Sequence, residues 1–139
     1  MAYNILIVDD SLPMRSVVKK TIKASGFSSS NFYEAENGKQ ALDIIKQEWM
    51  DIIITDYNMP DMNGIELIKE LKKDDFLTSI PILVVTTEGS QKKILEFMTH
   101  GASGYIKKPF TPELIREKLV EILGEAQNGF EESDEGLDF

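Results

Sequence analysis

The chain has no cysteine, so disulfides and thiolate metal sites are excluded and a cytoplasmic protein is expected. Long hydrophobic runs are missing too. None approaches the roughly 18 residues of a membrane-span candidate, and the N-terminus has no basic-then-apolar leader pattern. Membrane insertion is therefore not expected. Basic charge is the third scarcity: 15 Lys and Arg stand against 24 Asp and Glu, a net charge of −9. The basic footprint that nucleic acid requires does not occur. Residues 125–139 contain Glu125, Glu131, Glu132, Asp134, Glu135 and Asp138 and no base, which leaves 18 acids and 15 bases in residues 1–124.

What is present suits one soluble domain with a real core: 139 residues, 42% hydrophobic and 28% charged. The patterning says more. Apolar runs alternate with helical spacing five times, which predicts repeated βα units around a parallel sheet. The strand-like runs are 4–8, 32–35, 51–55, 81–85 and 104–106. Between them, Met14, Val17, Val18, Thr21 and Ile22 mark a helix that Gly26 ends. Asn37-Gly38 turns into a second helix with Ala41, Leu42, Ile45 and Trp49 on one face. Ile65, Ile68 and Leu71 mark a third, and residues 90–100 a fourth closed by Gly101. Thr111-Pro112-Glu113 opens the fifth with a hydroxyl cap, a proline at the first helical position and an acid near the positive helix end. Its face is Ile115, Leu119 and Ile122, and Gly124 stops it. Residues 1–124 read as one domain, and 125–139 as an acidic tail with no assigned structure.

In a parallel sheet every strand ends on the same edge, where open α/β folds bind ligands. That edge gathers Asp9, Asp10, Asp56, Thr86 and Lys108, each at or just beyond the end of a strand-like run. Hard carboxylate oxygens suit Mg²⁺, which prefers to share its shell with water and phosphate oxygens. A carboxylate is also a nucleophile able to form an aspartyl-phosphate. Asp56, the single acid at the end of the most apolar strand, is the candidate. A Lys108 ammonium would neutralise a phosphoryl oxygen and a Thr86 hydroxyl would donate to another. Pro109 supports Lys108, because an X–Pro bond can be cis and aim the preceding side chain tightly. Taken singly, each residue has a plainer reading: a turn for the acids, solvation for the lysine, structure for the threonine. Convergence is what points to a site.

Val8-Asp9-Asp10, the run Thr55-Asp56-Tyr57-Asn58-Met59-Pro60-Asp61-Met62-Asn63-Gly64, Thr86, and Gly104-Tyr105-Ile106-Lys107-Lys108-Pro109-Phe110 resemble the receiver domains of two-component response regulators. Glu34-Ala35-Glu36-Asn37-Gly38 with Ala41-Leu42 fits the same pattern. The resemblance covers residues 3–124, with no room for an output domain. Met14-Arg15, Asp56-Tyr57-Asn58-Met59-Pro60 and Thr86 with Glu88 most resemble stand-alone chemotaxis regulators of the CheY type. It implies a flavodoxin-like α/β fold: a single doubly wound sheet of five parallel strands in the order 2-1-3-4-5, with five helices.

The same resemblance implies that Asp56 accepts a phosphoryl group from a histidine kinase, and that Asp9, Asp10, Asp56 and the Asn58 backbone carbonyl hold Mg²⁺. Lys108 would pair with the phosphoryl group. Thr86 would bond it and draw its loop inward, and Tyr105 would turn toward the space Thr86 vacates. Asn58 and Glu88 would tune dephosphorylation. The output face would be the fourth helix, fifth strand and fifth helix, with Ile94, Tyr105, Lys107 and Lys118 meeting a flagellar motor switch or another protein target. A phosphatase is a further implied partner. Such a protein is a monomeric binding module, not a conventional enzyme. Its only chemistry is self-phosphorylation from a phosphodonor and autodephosphorylation.

From the residues alone, Tyr105 and Ile94 also read as packing, and the two lysines as a solvated face. Two other functions fit the chemistry: a phosphorelay intermediate, and a Mg²⁺-dependent aspartyl-phosphate phosphohydrolase. The second, of the haloacid dehalogenase type, carries Asp-x-Asp after its first strand and a cap domain, and this sequence has neither. Three features depart from the receiver pattern. Thr87 stands where a small residue is usual, Lys107 where an apolar one is common, and Phe130, Leu137 and Phe139 are spaced among the tail acids. That spacing reads as a solvated tail or as a short docking motif.

Overall fold

The strands are β1 (Asn4–Val8), β2 (Asn31–Ala35), β3 (Ile52–Asp56), β4 (Ile82–Thr86) and β5 (Gly104–Lys107). The helices are α1 (Leu12–Ile22), α2 (Gly38–Gln47), α3 (Gly64–Lys72), α4 (Gln91–Thr99) and α5 (Pro112–Leu123). A computed structural model provides these coordinates and describes residues 3–59, 62–87 and 89–124. Pro60, Asp61, Glu88 and the acidic segment 125–139 lie outside the described residues. Each neighbouring pair of strands is parallel, in the order β2-β1-β3-β4-β5. The doubly wound arrangement expected from the motifs is therefore present. None of the described helices is long and apolar enough to cross a membrane.

Successive side chains of a strand point to opposite faces, and both faces of this sheet are covered. Ile5, Ile7, Ile52, Ile54, Leu83, Val85 and Ile106 pack with Val18 and Ile22 of α1 and Ile115 and Leu119 of α5. Leu6, Val8, Ile53, Ile82 and Val84 pack with Ala41 and Ile45 of α2, Leu67, Ile68 and Leu71 of α3, and Phe97 of α4. A strand buried on both faces reads as a continuous apolar run, which is how β1, β3 and β4 appear in the sequence.

Every α-helix has a side-chain cap at its start. Ser11, Asn37, Asn63, Ser90 and Thr111 each accept from the backbone N–H three residues on, and Asn63 with Glu66 completes a capping box. Some details differ from expectation. Trp49 does not share the buried face of α2: the chain leaves the helix at Glu48 in an extended conformation, Trp49 is 53% exposed, and Met50 is buried instead. Val17 also faces outward, because the inward positions of α1 are Arg15, Val18 and Ile22. The helical backbone continues past Ile22 over residues 23–25, and Gly26, at φ 104°, breaks it as the sequence predicts, with Phe27 buried beyond it. Pro81 immediately precedes β4, with its carbonyl accepting from Ile53 N–H at 3.0 Å.

The start of α3 is pressed against the end of β3. Gly64 N–H donates to the Tyr57 carbonyl at 2.9 Å, and a Cβ at position 64 would lie 2.9 Å from the Asp56 carbonyl oxygen and 3.2 Å from Tyr57 Cα. Gly64→Ala is expected to cost about 1–3 kcal/mol through this overpacking. The measurement is the urea midpoint, which should fall with the m-value unchanged.

Candidate functional site

The two-residue period of the strands decides which side chains meet at the sheet edge. Asp9 continues the parity of Ile5 and Ile7, Asp56 that of Ile52 and Ile54, and Lys108 that of Ile106. All three belong to the α1–α5 face of the sheet. One carboxylate oxygen from each of Asp9, Asp10 and Asp56 lies within 4.8 Å of the others. Lys108 Nζ stands 3.4 Å from Asp9 Oδ2 and 3.4 Å from Asp56 Oδ1. Its backbone N–H donates to the Thr86 carbonyl at 2.8 Å, which ties the ends of β4 and β5 together, and the Lys108–Pro109 bond is cis.

Asp9 is buried and held from several sides. Its N–H donates to the Ala35 carbonyl at 3.1 Å and its carboxylate accepts from Ser11 N–H at 2.9 Å. Arg15 Nη1 donates to its carbonyl at 2.6 Å, while Arg15 Nε reaches Glu34 Oε1 at 2.8 Å and Lys19 Nζ reaches Glu34 Oε2 at 3.2 Å. The Arg15 guanidinium, aided by Lys19, keeps the Glu34 carboxyl below its ordinary range against the opposing effect of burial. No role was assigned to Glu34 in this support from the sequence, though a signal was there. Glu34 pairs with Ile7 in the sheet register, so it occupies an inward-facing position where an acid needs a base.

Burial pushes the Asp56 carboxyl above its ordinary range and the charge of Asp9 adds to this, while Lys108 and the Tyr57 backbone N–H oppose it. Thr86 ends β4 at the same edge but with the other parity. It is fully buried in line with Ile82 and Val84, and it pairs with Lys107 where Asp56 pairs with Val85. Thr87 is exposed and lines an apolar recess of about 350 Å³ with Met14, Val17, Lys108, Pro109 and Phe110. Asn58, two residues after Asp56, is exposed. Away from the acid cluster, Ile94 and Tyr105 are half-buried, Lys107 is exposed, and Lys118 Nζ lies 3.7 Å from Glu121. Tyr57 touches Phe97 and Lys93 of α4, contacts that no sequence motif signals.

The donor set fits a hard divalent cation. It offers only carboxylate oxygens, and two Mg–O bonds of about 2.1 Å span about 4.2 Å across the ion, close to the spread of the three acids.

A carboxyl raised in the folded state contributes stability that is present below its unfolded value, about 3.9, and lost as pH rises through the folded value. Asp56→Asn should therefore stabilise the metal-free fold at pH 7. That advantage should vanish on acidification below the unfolded value. Urea midpoints of both chains across that range are the measurement, and a gap independent of pH is the contrary result.

The response regulator receiver domain family matches residues 5–120. A chemotaxis protein CheY homolog of Campylobacter jejuni is 41% identical over 121 residues, which is 86% of this chain and 92% of that protein. Among solved structures, chemotaxis response regulator CheY4 of Vibrio cholerae aligns with a TM-score of 0.79 at 34% identity, over 88% of this chain and 99% of that one. A sensor histidine kinase receiver domain from Pseudomonas aeruginosa, solved with a magnesium ion coordinated in its active-site cleft, shares the fold. Its TM-score is 0.79 at 21% identity, over 90% of this chain and 100% of that one. The fold, the acid corner and these similarities agree, and the chain belongs to the response regulator receiver domain family.

Proposed function

We propose that Asp56 of this chain accepts a phosphoryl group from a histidine kinase, and that the aspartyl-phosphate reshapes a surface that binds a protein target, in a chemotaxis-type two-component system. The observation that carries this reading is the position of Lys108, 3.4 Å from both Asp9 and Asp56 at the edge of the sheet. An ammonium in that place offsets crowded carboxylates before reaction and is at hand for phosphoryl oxygens after it.

In the transfer step an Asp56 carboxylate oxygen attacks phosphorus and the bond from phosphorus to the donor imidazole breaks. The nitrogen leaves with the electron pair, and an acyl phosphate remains. In the return step a water oxygen attacks the same phosphorus. The bond to Asp56 breaks, giving inorganic phosphate and the free carboxylate. Asp9, Asp10 and Asp56, with the Asn58 carbonyl, would hold Mg²⁺, which supplies positive charge against the phosphoryl oxygens. Lys108 would move from the carboxylates to the phosphoryl group. Asn58 and Glu88 would set how long the phosphate persists.

The response would begin at Thr86. Its hydroxyl would bond a phosphoryl oxygen, its loop would close inward, and Tyr105, paired with Val84 in the register, would follow. The surface so altered lies on α4, β5 and α5, where Ile94, Tyr105, Lys107 and Lys118 are joined by Leu95 at 67% and Met98 at 42% exposure. A flagellar motor switch protein is the target class supported by the likeness to chemotaxis regulators.

Mg²⁺-dependent labelling by a small acyl-phosphate donor tests the assignment. Asp56→Asn is expected to abolish it, and labelling that persists in that variant would overturn the reading. Mg²⁺ at about 100 times its dissociation constant should raise unfolding stability by about 2.7 kcal/mol. In Asp9→Asn the midpoint shift at the same concentration should be much smaller.

A further inference from the structure

One helix is fastened to the domain more lightly than its neighbour. α4 buries a single residue, Phe97, where α3 buries five. The Phe97 ring rests against Tyr57, with centroids 5.1 Å apart. One turn earlier on α4, Lys93 Nζ donates to the Tyr57 hydroxyl at 2.9 Å and stands 5.1 Å from the centroid of the same ring. Two fastenings of α4 thus converge on one side chain, and it belongs to the residue directly after Asp56. The alternation of β3 sends Asp56 to the acid corner and Tyr57 to the opposite face, yet they share a peptide unit. The Tyr57 carbonyl is fixed by Gly64 N–H at 2.9 Å, so the residue that follows Asp56 is held on its far side.

We propose that Tyr57, held by the positioning residue Lys93, carries the change at Asp56 to helix α4 by a route separate from Thr86 and Tyr105. The proposal rests on Asp56 being the phospho-acceptor. Phosphorylation adds charge and acceptor oxygens at Asp56, one peptide unit from Tyr57. Close-packed ring contacts pass on a displacement instead of absorbing it. An element with little buried area is where a small displacement moves a local equilibrium. α4 also presents Leu95 and Met98 to solvent, so a shift of this helix changes what a partner meets.

The experiment uses the full chain with Mg²⁺ and beryllofluoride, a phosphoryl mimic. Fluorine NMR reports whether the complex forms at Asp56, and amide hydrogen exchange over residues 89–100 reports on α4. Complex formation is expected to change α4 exchange by about threefold or more, within the range by which coupled residues act. Tyr57→Phe keeps the ring on Phe97 and removes the acceptor, and Lys93→Met keeps the stem and removes the donor. Each should abolish most of that change while leaving the fluorine signal and the urea midpoint little altered. The double variant should lose no more than Lys93→Met alone, because that change already removes both the hydrogen bond and the contact over the ring. Lys93→Arg, which keeps a donor over the ring, should restore the response. A full α4 response in both single variants overturns the proposal, as does an α4 that ignores a complex shown by fluorine NMR to have formed. Absence of the fluorine signal in the unmodified chain overturns the acceptor assignment itself, and the proposed route with it.

Discussion

Strand alternation is the constraint on which the rest of this molecule depends. A side chain at one position of a strand commits its neighbour to the other face, so an acid placed for chemistry decides what the next residue packs against. Asp9, Asp56 and Lys108 share one parity and meet at 3.4 Å, while Tyr57 and Thr86 take the other and join the side of the sheet covered by α2, α3 and α4. The site and the apparatus that would read it are therefore adjacent in sequence and opposite in space. A parallel sheet with both faces covered is what makes this possible.

Crowding acids at the end of a buried strand opposes folding. Burial and Asp9 both raise the Asp56 carboxyl, and Lys108 offsets only part of this. A cation bound among the three acids would relieve the repulsion, so the same arrangement that weakens the empty fold favours metal and phosphoryl binding. Stability given up at a site that must bind charge is a common compromise in folded proteins.

Much of this was legible in the sequence because the relevant signals are local. Thr111-Pro112 opens α5 as a capped helix with proline at its first position, and the apolar runs fall on the strands to within a residue. The convergence of Asp9, Asp10, Asp56 and Lys108 follows from strands that end on one edge. What stayed hidden depends on pairings between distant residues or on local backbone detail. Lys93 and Tyr57 are 36 positions apart, and neither has a motif that announces the other. Trp49 fits a helical period that its own backbone abandons at Glu48.

The Arg15–Glu34 pair has a consequence for ionic strength. Its side chains are only 10% and 28% exposed, against 71% and 42% for Lys73–Glu70 on α3 and the turn after it. Mobile ions screen the exposed pair readily and the sheltered one poorly. Because Arg15 also holds the Asp9 carbonyl, one wall of the acid corner keeps its shape across salt concentrations that weaken surface pairs. The long-range attraction of the acids for cations, by contrast, falls as salt rises. Salt therefore changes how fast the corner is filled more than how it is built.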